Sequence, residues 1–179
     1  MADTLPTITP DLAEWFREQP VFFVATAPRD GHVNVSPKGY DTLRVLGERR
    51  VAYLDLTGSG VETIAHIRDN GRVTLMWCAF SGNPRIARVY GTGRVHELGS
   101  AGFDELALNF DLLPGSRAII DIEVDRISTS CGYAVPLMDL VEDRDRLQRW
   151  AEAKGEPGLA DYRAGKNAAS IDGLPGYGA

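Results

Sequence analysis

The sequence predicts a mainly β protein of the α+β kind, a largely antiparallel barrel with helices at its periphery. Short apolar stretches of strand length outnumber helical ones, and most neighbouring stretches are joined by loops of hairpin length. The regular strand–helix alternation of a parallel sheet is missing. A chain of 179 residues with 44% hydrophobic and 25% charged residues has ordinary globular composition, and it is long enough to bury a core without disulfide staples.

The first element reads as a helix. Thr9 is a good N-cap, Pro10 occupies the first helical position, and Leu12, Trp15 and Phe16 share one face until Gln19-Pro20 stops it. Residues 21–27 and 32–36 then read as a hairpin around Asp30-Gly31. A stretch at 43–46 turns at Gly47-Glu48 into 49–56, a strand apolar on both faces and therefore expected to be buried on both. Residues 57–63 lead into a short helix closed by Asn70-Gly71, with Ser59 and Glu62 spaced as a capping box. Strands at 73–80 and 86–98 follow, the second bent by Gly91-Thr92-Gly93. A helix at 103–110 and a strand at 117–127 complete the core. Residues 1–127 are thus expected to form the barrel domain. Residues 128–179 form a C-terminal arm: a charged helix at 139–154, then a Gly-, Ala- and Pro-rich end that lies on a surface, wraps a partner subunit or stays mobile.

Composition narrows function. The apolar runs at 21–25 and 75–80 fall far short of the roughly 20 residues that cross a bilayer. The opening residues show neither a basic start nor an apolar signal core, and two cysteines do not make a disulfide scaffold, so a cytoplasmic protein is expected. A net charge of −6 disfavours nucleic acid as a partner. His32, His66 and His96 lack metal-ligand spacing, so no metal is expected, and no nucleophile motif names a catalytic residue. His66 reads as a polar residue on a helix surface and Cys78 as a small buried hydrophobe.

The informative stretch is 57–63. A strand runs into a glycine-rich turn that opens a helix, so free backbone N–H groups, helix polarity and small hydroxyls converge as they do around a bound phosphate. The same residues also serve as a simple helix cap, and the lysine of a nucleotide-triphosphate loop is missing. Ser36 and Lys38 offer a hydroxyl and an ammonium nearby in sequence, and Arg85, Arg88 and Arg94 lie along the bent strand.

The strand order, residues 34–39, the 57–63 turn, residues 70–75 and the strand at 84–93 together resemble the pyridoxamine phosphate oxidase-like family over residues 10–127. That resemblance implies a split β-barrel that pairs as a homodimer and binds FMN, or in other branches a deazaflavin or haem, at the subunit interface. It implies a cofactor site among Ser36, Lys38, Thr57, Gly58, Ser59, Thr63, Arg85 and Arg88. It also implies an FMN-dependent oxidoreductase with a small-molecule substrate, or else a non-enzymatic flavin-binding module. The chain departs from true pyridoxamine phosphate oxidases in carrying Glu62-Thr63 where they carry an arginine–lysine pair, and Ile86 where they carry a glutamine. Their C-terminal tryptophan and arginine motif has no clear counterpart after Ser128, so pyridoxamine phosphate itself is not the expected substrate. Cys131, Gly132 and Tyr133 open the arm and are expected to form a lid near the cofactor.

Overall fold

The structure, a computed structural model, describes residues 3–179; the first two residues of the opening read for a targeting signal lie outside it. The strands are β1 (Asp3–Leu5), β2 (Phe22–Thr26), β3 (Asn34–Lys38), β4 (Leu43–Gly47), β5 (Arg50–Leu56), β6 (Arg72–Cys78), β7 (Ile86–Glu97) and β8 (Ser116–Ser130). The helices are α1 (Pro10–Glu18), α2 (Glu62–Asn70), α3 (Ala101–Ala107) and α4 (Arg146–Lys166). All strand pairs are antiparallel, in the order β3-β2-β6-β7-β8-β5-β4, and β1 adds to β8 beyond the end of β5. The mainly β, split-barrel architecture expected from the sequence is the one observed. Among the described residues the sheet is not closed by backbone pairing; β3 and β4 end the main order, and β1 pairs with β8 alone.

Two apolar layers explain why β5 and β8 are so continuously hydrophobic. Val51, Tyr53, Ala118, Ile120 and Ile122 face the main core, whereas Ala52, Leu54 and Ile119 pack against Phe103, Leu106 and Phe110 around α3. In the main core Phe16 of α1 stacks on Trp77 at 3.9 Å, and Phe22 packs against both Trp77 and Tyr53. The α1 start follows the sequence pattern: the Thr9 hydroxyl accepts the Leu12 N–H at 3.3 Å, and Pro10 takes the first helical position. The irregularity beside Gly91 is a bulge whose extra residue, Asp125, belongs to the neighbouring strand β8. The register with β8 shifts there, and a Cβ on Gly91 would collide with the Glu123 carbonyl oxygen.

Three local expectations are corrected. The Ser59–Glu62 capping box does not form: α2 begins at Glu62 after Val61, without a side-chain cap, Ser59 is exposed, and the Glu62 carboxylate is engaged by the Ile171 N–H. The charged helix expected at 139–154 instead begins at Arg146 and runs to Lys166. Residues 139–145 have no apolar stripe to bury and are all exposed. That helix breaks at Gly155, whose φ of 62° only glycine adopts cheaply, and the chain doubles back so that Trp150 meets Tyr162 at 5.0 Å. His66 is not on a surface: it is wholly buried, with Nδ1 3.0 Å from the Thr26 hydroxyl. The Gly-, Ala- and Pro-rich end folds back on its own barrel, where the His32 N–H donates to Asp172 Oδ2 at 2.8 Å and the Gly178 N–H to Glu97 Oε1 at 3.0 Å.

Candidate functional site

The site is built around a carboxylate in an apolar strand. Asp55 is 1% exposed near the end of β5, and two cations meet it. Lys38, the last residue of edge strand β3, donates to Oδ1 at 2.8 Å, and Arg117 of β8 donates from Nε to Oδ2 at 2.7 Å. The first of these contacts joins the β3 edge to β5 across the opening of the sheet. Arg117 is aimed by a second bulge. Asp55 pairs with Ala118 and Leu56 with Ser116, so Arg117 is the extra residue, and its side chain turns out of the ladder.

The surroundings fix these groups further. Arg117 also donates to Asn167 Oδ1 at 2.9 Å and to the Gly60 carbonyl at 2.9 Å, while Asn167 Nδ2 donates to the Gly58 carbonyl at 3.0 Å. Arg163, buried on α4, reaches the Thr57 hydroxyl at 3.4 Å and Glu156 at 3.3 Å. Asn34 donates to the Thr63 hydroxyl at 3.4 Å, and Ser36 to Asn34 Oδ1 at 3.3 Å. Together Asn34, Ser36, Lys38, Asp55, Gly58, Gly60, Glu62, Thr63 and Arg117 line a pocket of about 150 Å³ at the start of α2.

Electrostatics follow from the geometry. Burial is the largest influence on Asp55 and pushes its pKa up, but Arg117 and Lys38 together outweigh it and hold the carboxyl at about 2. Tyr53 beneath them is driven well above its ordinary value, by burial first and by Asp55 second, against the opposing pull of Arg117 and Thr63. It therefore stays a neutral phenol, and among the described residues its buried hydroxyl has no hydrogen-bond partner of good geometry. The pocket thus offers an ammonium, a guanidinium, two hydroxyls and the free N–H groups of an uncapped helix start, the chemistry that holds a small anion.

Comparison with known proteins identifies the family. The sequence profile of pyridoxamine 5'-phosphate oxidase matches residues 8–131. The chain belongs to the pyridoxamine 5'-phosphate oxidase family. A relative in that family, the protein ustO of Aspergillus flavus, is 41% identical over 191 residues, which cover 95% of this chain and 76% of the relative. Among solved structures, a HupZ variant of Group A Streptococcus has a TM-score of 0.55 at 23% identity, covering 69% of this chain and 99% of its own. A Lactobacillus delbrueckii protein described under the same family name gives 0.55 at 21% identity, covering 69% and 97%. An FAD-binding protein of Mycobacterium smegmatis gives 0.50 at 14% identity, covering 69% and 96%.

Of the residues that the resemblance to the pyridoxamine 5'-phosphate oxidase family singled out, Ser36, Lys38, Gly58 and Thr63 meet in the pocket, with Thr57 buried beside it and Ser59 exposed at its rim. Arg85 and Arg88 lie elsewhere. Arg85 sits 4.8 Å over the Trp15 ring at α1. Arg88 lies on the cross-strand row of Met76, Phe23 and Pro37, the face of the sheet opposite to that of Lys38, and its guanidinium stands 3.5 Å from Ser130. Gly132 lies against the Arg85 backbone, with Cys131 and Tyr133 exposed. Asp55, Arg117, Arg163 and Asn167 were missed. For the first two a signal existed: a charge at the end of an otherwise apolar strand, 51–56, demands a buried counter-charge, and Arg117 heads the apolar strand that follows. No local pattern marks Arg163 or Asn167.

Proposed function

We propose that this chain is an FMN-dependent oxidoreductase of the pyridoxamine 5'-phosphate oxidase family, a cytoplasmic homodimer whose substrate is a small molecule other than pyridoxamine phosphate. The observation that carries this reading is the anion pocket, where Lys38 and Arg117 converge on the uncapped start of α2. About 150 Å³ suits a phosphate group and is smaller than a typical whole-cofactor pocket of 300–1,000 Å³. The pocket therefore takes the phosphate end, and the ring lies outside it. The flavin named for the Mycobacterium smegmatis protein of similar fold points the same way. When bound, the flavin supplies the hydride or electron transfer, so the chain needs no triad or metal of its own. Its residues bind the phosphate through Lys38, Arg117, Thr63 and Ser36 and keep Tyr53 protonated beside them.

The dimer reading is supported by the outer face of the β3-β2-β6 region, where Val33 and Val35 are 71% and 59% exposed beside half-buried Phe23, Ala25 and Met76. Arg88 shares that face, so on this reading Arg88, and the Cys131-Gly132-Tyr133 lid with it, serves a cofactor held across the interface. The test is an absorbance spectrum of desalted protein before and after FMN titration, with mass by analytical ultracentrifugation and reduction by NADH or NADPH. Flavin bands that shift on binding, a dimer mass and turnover are expected. A monomer, or a protein that leaves the FMN spectrum unchanged, overturns the proposal.

A further inference from the structure

The C-terminal segment is built into the anion pocket. Arg117 is 4% exposed, and three of its five N–H groups are fixed by Asp55, Asn167 and the Gly60 carbonyl, leaving two for a ligand. Asn167 is wholly buried, and its amide is oriented from both ends, Oδ1 accepting from Arg117 and Nδ2 donating to Gly58. Its backbone is fixed as well, by an N–H to the Arg163 carbonyl at 2.9 Å and a carbonyl accepting from Tyr177 at 2.7 Å. The same segment manages the one carboxylate that would repel an anion at the helix start. Both oxygens of Glu62 accept from the Ile171 N–H, at 3.2 and 3.3 Å, which turns the carboxylate toward the tail. Lys38 and Arg117 then face the pocket from either side of Asp55, with the Glu62 carboxylate of the lining drawn toward the tail.

The geometry points to Arg117 as the cation that grips the cofactor phosphate, with Asn167 as the positioning residue that aims it, so that the tail from Asn167 onward completes the cofactor site of its own subunit. This rests on the flavin reading above. It assigns to β8 and the tail the positive charge that Glu62-Thr63 do not supply at the helix start.

The test compares FMN with riboflavin, which has the same ring and ribityl chain but no phosphate, by fluorescence quenching of the full-length protein. The intact protein binds FMN more tightly than riboflavin. Asn167→Ala lowers FMN affinity about tenfold, the worth of one charge-assisted hydrogen bond, and leaves riboflavin affinity unchanged. Arg117→Lys keeps a charge against Asp55 and loses the fork geometry, so it too narrows the FMN preference. A merely structural role for either residue would weaken both ligands equally. An unchanged FMN-to-riboflavin ratio in the two variants, or no preference in the intact protein, overturns the assignment while leaving flavin binding intact. Failure of the intact protein to bind either ligand overturns the flavin reading and this assignment with it. If Asn167→Ala melts before titration, Arg117→Lys alone decides.

Discussion

Replacing Asp55 with asparagine removes the one negative charge between Lys38 and Arg117 while keeping the shape of the side chain. Stripping one partner from a buried ionic cluster costs about 3–5 kcal/mol, because the remaining charges lose their counter-ion in a dry site. An independent figure comes from proton linkage. A carboxyl that titrates at about 2 in the folded chain against an ordinary 3.8 contributes roughly 2–3 kcal/mol at neutral pH. Because the folded value is the depressed one, this contribution is complete above pH 3.8 and disappears as the pH falls through about 2. For a chain of this size each kcal/mol moves Tm by about 2–4 °C, so Asp55→Asn is expected to melt roughly 6–20 °C lower at pH 7. The gap to the unmodified protein should narrow as the pH falls from about 5 toward 2. Thermal melts followed by circular dichroism across that range check both statements. An asparagine variant that melts within about 2 °C of the parent at pH 7, or a gap that stays constant with pH, would refute the ionic account of this cluster.

Phe16→Ala opens a cavity beneath Trp77, where the rings now stack 3.9 Å apart, and is expected to cost about 3–5 kcal/mol in urea unfolding, with a change in near-ultraviolet dichroism. Gly91→Ala drives a methyl into the Glu123 carbonyl and should destabilise by about 1–3 kcal/mol, whereas Gly47→Ala, with open space around it, should stay within about 0.5 kcal/mol. Burial pushes the Cys78 thiol up, while Cys131 is exposed. Ellman's reagent should therefore titrate one thiol rapidly in the native protein and the second only in denaturant. Two fast thiols would show that the β6 end opens readily.

Much of the fold was legible because its signals are local. Thr9-Pro10, Asp30-Gly31, Asn70-Gly71 and Gly91 each set backbone geometry within a few residues, and the continuous apolar run in β5 announced burial on both faces. The strand, glycine turn and helix start at 57–63 were legible for the same reason, since the three are adjacent in sequence. What misled was competition between distant groups. Ser59 and Glu62 have capping-box spacing, yet Ile171, more than a hundred residues away, takes the Glu62 carboxylate. The buried cluster could not be assembled from sequence because its members come from β3, β5, β8 and the tail, and only the folded topology brings Lys38 and Arg117 to the same Asp55. His66 misled because Thr26, which meets its Nδ1, belongs to strand β2, forty residues earlier.

The position of β8 has a consequence for how the protein is made. It is the shared neighbour of β7, β5 and β1, so the register of three earlier strands is completed only when residues 116–130 are available. During synthesis the apolar faces of β5 and β7 are exposed before their common partner exists, and β1 waits for residues 127–129. Such late, long-range closure slows folding and leaves unpaired edges open to other chains. A ribosome-bound chain halted before Ser116 should thus be protease-sensitive throughout, and one released past Ser130 should become resistant in a single step.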